Sequence, residues 1–146
     1  MHGEGQALCV ANDVDTNLAI AGRYLRTKDR RVWAEHVFED LDPTLKDRLR
    51  GAVLVAGTNM GCGSSREQAA IALREAGVVA VVAQSFARIF SRNAINVGLP
   101  VLECRMSCRE GMTVRFDVGE GWVEVDGTRW TVRPLSPHMV GILRAG

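Results

Sequence analysis

Three runs of the chain stand out because almost every position in them is apolar: AVLVA at 52–56, VVAVVAQ at 78–84 and PVLEC at 100–104. Runs of that length and uniformity read as strands covered on both faces. The stretches between them behave differently. REQAAIALREA at 66–76 is rich in helix formers and stops at Gly77, and SFARIFSRNAINVG at 85–98 reads as a second helix. Strand, helix, strand, helix, strand with fully apolar strands predicts parallel βαβ units with right-handed crossovers. The last third changes period. MTVRFDV at 112–118 and parts of WVEVDGTRWTV at 122–132 alternate apolar and polar residues, and Asp126-Gly127 predicts a tight hairpin turn. Ser136-Pro137 then opens a short final helix that ends near Arg144.

The first third is less regular. Residues 8–20 read as a short strand followed by a polar turn, NDVDTN, and GRYLRTKDRR at 22–31 reads as an exposed cationic loop. A helix is predicted from about 30 to 41, with Asp29 as its cap and Trp33, Val37 and Leu41 along one face. Asp42-Pro43 starts a further short helix, with Leu45 and Leu49 on its apolar side and Gly51 at its end. The predicted fold class is therefore α/β: a parallel βαβαβ core with an added antiparallel hairpin section. No repeat, low-complexity tract or linker divides the chain, so residues 1–146 read as one domain.

Composition narrows the function classes. With 18 Lys and Arg against 17 Asp and Glu, the net charge is +1, which gives no overall pull toward nucleic acid or anionic lipid. No apolar run approaches the roughly 18 residues of a membrane span. The N-terminus, MHGEGQALCV, lacks the basic start and apolar stretch of a secretory signal. The expected location is the cytoplasm. Cys9, Cys62, Cys104 and Cys108 show no zinc or iron–sulfur spacing, so they are expected to be reduced, mostly buried thiols.

The chemistry concentrates in GTNMGCGSSREQ, residues 57–68, which joins a strand to a helix. Glycines such as Gly61 and Gly63 allow close backbone approach to a ligand and positive φ. Ser64 and Ser65 fall where the helix begins, where free N–H groups and the dipole favour an anion. Arg66 adds a fork that fits a carboxylate or phosphate. The segment lacks the G-K-[ST] of a phosphate-binding loop, the last glycine of G-x-G-x-x-G and the pattern of a G-x-S-x-G nucleophile elbow. The plainer reading of the same residues is a serine-capped helix with Arg66 on a solvated face. His2, His36 and His138 are scattered, and no spacing pairs one of them with Ser64 in a triad. Arg23, Arg26, Lys28, Arg30 and Arg31 crowd the early loop, and Arg88 and Arg92 lie at i and i+4 on the second central helix. Both groups read as solvated surface, with the sharper alternative that early-loop cations reach over the anion site.

GTNMGCGSSREQAAIAL followed by AVVAQSFARIFSRNAINVGLPVLEC resembles the small subunits of 3-isopropylmalate dehydratase and homoaconitase, which are similar to the swivelling C-terminal domain of aconitase. NDVDTNLAIAGRYL looks like the entry motif of that family, and PLSPHMVGILRAG like its closing helix. The resemblance runs from about residue 8 to the end. It implies a swivelling β/β/α domain that serves as the small subunit of a heteromeric hydro-lyase, acting on a hydroxy di- or tricarboxylic acid. It implies a large-subunit partner that carries a [4Fe–4S] cluster as Lewis acid, and no metal in this chain. By the same resemblance Ser64 is the catalytic base, and Ser65 and Arg66 bind substrate carboxylate. Arg26, in the family's substrate-recognition loop, points toward a substrate with an additional carboxylate, and Asn17, Gly61 and Gly63 support the site.

The chain departs from the family pattern at Asn17, where an aspartate is usual, at Gln68, where a histidine is common, and at Ala21 in place of proline. Two other classes of function are compatible with parts of the pattern. One is a non-catalytic carboxylate-binding or regulatory module of the same fold. The other is a self-sufficient hydrolase with Ser64 as nucleophile, which lacks an arranged histidine. The apolar surface that would meet the large subunit also allows a homodimer of the isolated chain.

Overall fold

In a computed structural model, which describes residues 1–63 and 66–145, seven strands form one mixed sheet. They are β1 (His2–Cys9), β2 (Ala52–Ala56), β3 (Ala80–Ala83), β4 (Val101–Glu103), β5 (Thr113–Asp117), β6 (Trp122–Val125) and β7 (Thr128–Thr131). Their spatial order is β4-β3-β2-β1-β5-β6-β7. The β1–β4 strands run parallel, whereas β5 pairs antiparallel with β1, and β6 and β7 continue the antiparallel run. The helices are α1 (Thr16–Ala19), α2 (Arg30–Glu35), α3 (Glu67–Glu75), α4 (Arg88–Asn96) and α5 (Pro137–Ala145), with 3-10 turns at Gly22–Tyr24 and Pro43–Arg48.

The parallel half follows the apolar runs. Every residue of β2 and β3 is buried, as strands between two covered faces require. Helix α3 presents Ala69, Ala70, Ile71, Ala72 and Leu73 to the core, and the alanines let it lie close to the sheet. The Asp126-Gly127 turn has positive φ at both residues, as a two-residue hairpin between β6 and β7 needs.

Several expectations need correction. The first strand begins at residue 2, not near 8, because its alternating outer half pairs with β5 from His2↔Asp117 to Gln6↔Thr113. That partner lies more than a hundred residues away, and nothing local announces it. The loop expected at 22–31 contains a 3-10 turn and the first residues of α2. Asp29 does cap α2, accepting from the Arg31 N–H, but the helix stops at Glu35 rather than 41. Phe38 takes φ of 60° and donates its N–H to the Ala19 carbonyl, which turns the chain out of the helix. Trp33 and Val37 are buried, while Leu41 is left exposed. The helix after Asp42-Pro43 is 3-10 rather than α, with Leu45 and Leu49 buried as its pattern required.

The cysteine reading holds for two of the four residues. Cys62 and Cys104 are free, but Cys9 and Cys108 are joined in a disulfide. The end of β1 and the segment leading into β5 meet because Ala7 bonds to both Gly111 and Met112 through the backbone. A sequence separation of 99 hides that contact.

Candidate functional site

The glycine turn after β2 is a ribbon pinned on both sides. On one side the Asp13 N–H donates to the Thr58 carbonyl, the Gly61 N–H to that of Val14, and the Thr16 N–H to that of Cys62. On the other side the Met60 N–H donates to the Ser85 carbonyl and the Ala87 N–H to that of Met60, next to a parallel bridge between Met60 and Phe86. Side chains lock the register. Asn12 accepts from the Thr58 N–H at 2.9 Å and Ser85 Oγ from the Asn59 N–H at 2.8 Å. The turn thus brings the starts of α1, α3 and α4 together.

Two glycines are required where they stand. Gly61 has φ of 84° and Gly63 of 91°. A Cβ on Gly61 would collide with Cγ and Cβ of Phe90, and one on Gly63 would collide with the Asp15 carboxylate. Asp15 is itself fixed, accepting from the Asn17 N–H at 2.6 Å as the cap of α1.

Next to this turn lies a cavity of about 290 Å³, lined by Thr16, Gly61, Gly63, Arg66, Arg88 and Phe90 among others. Arg66 is the N-cap residue of α3 and Ala87 that of α4, and neither makes a side-chain cap bond among the described residues. The Arg66 guanidinium packs against Gly22, whose added Cβ would sit 3.4 Å from Nη1. That nitrogen is buried and has no hydrogen-bond partner, alone in this respect among the described side chains. A buried, unpaired guanidinium N–H is costly, and the helix ends around it leave further donors free.

Wider hollows of about 500 and 590 Å³ lie at Gln84 and Arg105 and at Glu4 and Arg115. Neither holds an orphaned polar group, and Arg115 is already paired with Glu4 at 3.2 Å.

Of the residues singled out from the sequence, the structure gathers Gly61, Gly63 and Arg66. Ser64 and Ser65 lie outside the described residues. Asn17 is exposed and only its neighbour Thr16 lines the cavity. Arg26 is exposed in the turn after Tyr24 and is not part of the lining. Three of the other early-loop cations face acids: Arg23 binds Glu39 and Asp40, Arg30 is 3.7 Å from Glu75, and Arg31 is 3.5 Å from Asp29, while Lys28 is exposed and outside the lining. Sequence reasoning missed Asp15, Gly22 and Arg88. The i, i+4 pair had marked Arg88 and Arg92 only as surface, and both are exposed, but Arg88 also enters the cavity wall.

Cys62, in the same turn, is not activated. Burial first, then the Asp15 and Asp13 carboxylates, push its thiol up from the ordinary value. An iron–sulfur cluster needs several cysteinyl thiolates around one point. Among the described residues no three His, Cys, Asp or Glu side chains gather to hold a metal, and two of the four cysteines are bonded to each other. The residues of this chain do not fit such a cluster.

A mixed sheet with a glycine turn and an arginine-lined cavity beside two helix starts defines the class, and the chain belongs to the aconitase C-terminal domain family, which matches residues 7–106. It is 44% identical over 145 residues to the methanogen homoaconitase small subunit of Methanothermobacter thermautotrophicus, covering 97% of this chain and 85% of that one. It is 45% identical over 149 residues to the 3-isopropylmalate dehydratase small subunit of Moorella thermoacetica, covering 98% and 90%. The crystal structure of a 3-isopropylmalate dehydratase from Methanocaldococcus jannaschii superposes with a TM-score of 0.92 at 39% identity, over 100% of this chain and 90% of that one.

Proposed function

We propose that this chain is the small subunit of a heteromeric hydro-lyase that removes water from a hydroxy di- or tricarboxylic acid and adds it back, as in the 3-isopropylmalate dehydratase and homoaconitase reactions. The observation that carries the reading is half-buried Arg66, whose buried Nη1 has no hydrogen-bond partner, in the lining of a cavity beside the starts of α3 and α4. Near-complete alignment with dehydratase and homoaconitase small subunits supports it. With 3-isopropylmalate as substrate the reaction belongs to leucine biosynthesis, in the cytoplasm.

In this reading Arg66 and Ser65 hold a substrate carboxylate. Ser64 takes the proton from the carbon beside that carboxylate. The electron pair left behind forms the double bond as the hydroxyl leaves from the neighbouring carbon. A serine alkoxide is unfavourable in water, and the Arg66 charge together with the start of α3 stabilises it. Gly61 and Gly63 let the turn approach the substrate. Asn17 supports the rim beside Thr16. Arg26 follows the 3-10 turn that packs on Arg66, is exposed, and has no ion pair among the described residues, which leaves it free to meet an additional substrate carboxylate. The [4Fe–4S] cluster belongs to the large subunit.

The test is reconstitution with the large subunit, the cluster rebuilt anaerobically and absorbance of the unsaturated acid followed over isopropylmalate, homocitrate, citrate, citramalate and malate. Turnover that needs both chains is expected, and Ser64→Ala is expected to abolish it while the complex still assembles. A stable, cluster-loaded complex that turns over none of these acids overturns the reading. Near-normal turnover by the Ser64→Ala enzyme removes Ser64 as the base.

A further inference from the structure

The cavity contains a second arginine with no assigned task. Arg88 is the first residue of α4 and lines the same cavity as Arg66. It is exposed and, among the described residues, forms no ion pair or hydrogen bond. Among the described residues no acidic side chain lines the cavity, so two arginines line one space without a carboxylate among their fellow lining residues. The Asp15 carboxylate, which lies against Gly63, is engaged in capping α1. Two like charges around one small space repel each other, and burial of Arg66 Nη1 adds a desolvation cost. Both costs vanish when a doubly negative ligand enters.

The walls set the shape of that ligand. Phe90 is buried beneath the cavity and Ile89, half exposed, stands at its edge, so an apolar strip lies alongside the two cations. At about 290 Å³ the space sits at the bottom of the range for small-molecule sites, roughly 300–1,000 Å³, and suits a short diacid rather than a nucleotide.

We propose that Arg88 binds a second carboxylate of the substrate while Arg66 holds the first, so that the cavity selects acids with two carboxylates a short carbon chain apart. The inference rests on the hydro-lyase reading for the identity of the acid and adds a specificity-determining residue to it. The free N–H groups at the start of α4 reinforce the same carboxylate.

The experiment uses the reconstituted two-subunit enzyme with Arg88→Gln and Arg88→Lys, and in parallel the full chain titrated with acetate, succinate and tricarballylate. The charge-assisted bonds lost in Arg88→Gln raise KM for the hydroxy diacid about 10–100-fold with kcat nearly unchanged, and Arg88→Lys recovers part of it. In the titration, the preference for succinate over acetate falls by a similar factor in Arg88→Gln. Unchanged KM and an unchanged succinate preference overturn the inference. If Arg66→Ala raises KM and Arg88→Gln does not, Arg88 fails alone and the hydro-lyase reading stands. If no hydroxy acid is turned over, that reading fails, and the succinate preference of the full chain still decides whether Arg88 pairs with Arg66. Unaltered melting of the Arg88 variants separates these outcomes from misfolding.

Discussion

Gly22 lies between two guanidiniums with opposite fates. Arg23, its neighbour in the chain, donates to Asp40 at 2.7 and 3.1 Å and to Glu39 at 3.1 Å, and lies over the Tyr24 ring at 4.9 Å. The Tyr24 hydroxyl donates to Glu39, His36 meets the same carboxylate, and the Tyr24 and His36 rings stack. Bonds to Asp40, Tyr24 and Glu39 hold the Arg23 charge firmly in place and raise its pKa. Arg66, packed against Gly22 from the other side, has a buried nitrogen and no partner. The sequence reads Arg23 as one of the early-loop cations and Arg66 as part of the glycine turn. The difference is whether the fold supplies the anion. Where it does, the arginine ties one loop to another. Where it does not, the arginine is left for the anion that the proposed function assigns to it.

The widest separation between the two is expected from Arg66→Met. Replacing a buried unpaired charge by an apolar side chain of similar length is often neutral or stabilising. The melting temperature of the chain should therefore hold or rise, while kcat/KM of the reconstituted enzyme falls about 10²–10³-fold, the cost of leaving a buried carboxylate unpaired. Calorimetry beside steady-state kinetics reads both. A variant that melts lower and keeps its activity would place Arg66 among the structural arginines, with Arg23.

The next effect sharpens the claim that the turn around Arg66 is built rather than merely flexible. Gly61 and Gly111 share positive φ, at 84° and 81°. A Cβ at Gly111 meets nothing within 4 Å, while one at Gly61 meets Phe90. Gly111→Ala carries only the backbone cost, about 1 kcal/mol. Gly61→Ala adds overpacking of about 1–3 kcal/mol and tilts the cavity floor. Urea midpoints of the two variants give the difference. Equal losses would mean that the Phe90 ring yields freely and that the turn does not fix the cavity.

How much of this could be read beforehand depends on where each feature gets its information. The β2-α3-β3-α4-β4 run was legible because full burial leaves a continuous apolar signature in each strand. The outer half of β1 was not, because HGEGQ gains its strand identity from β5, a partner invisible to local pattern. The same holds for the Cys9–Cys108 bond and for the early end of α2, which the Ala19 carbonyl dictates by claiming the Phe38 N–H. In the site, Gly61, Gly63 and Arg66 were legible as a contiguous motif. Arg88 enters only because Met60 bridges to Phe86 and swings the start of α4 to the turn, a tertiary fact. The early-loop cations could not be apportioned from sequence at all, since Glu39 and Asp40 lie a helix away from Arg23.

The smallest effect concerns the paired side. The Tyr24 hydroxyl, then His36 and Arg23, hold the Glu39 carboxyl down at about 2, well below its usual 4.5. A carboxylate held low stabilises the folded form above its unfolded pKa, and that contribution is lost as pH falls through the folded value. The window is therefore pH 4.5 down to about 2. Because these groups are solvent-screened, the gain is modest. Glu39→Gln keeps the shape and removes the charge. Wild type and variant should differ at neutral pH, converge on acidification through that window, and differ less in 1 M salt, where the Debye length is about 3 Å. The reporter is the Trp33 indole, whose N–H donates to the Tyr24 carbonyl at 3.0 Å and whose resonance should broaden when the loop loosens. Arg66 and the cavity should not respond, because no bond of this network reaches them. A change in diacid binding in Glu39→Gln would show that the two guanidiniums flanking Gly22 are coupled, and that the structural loop also tunes the cavity.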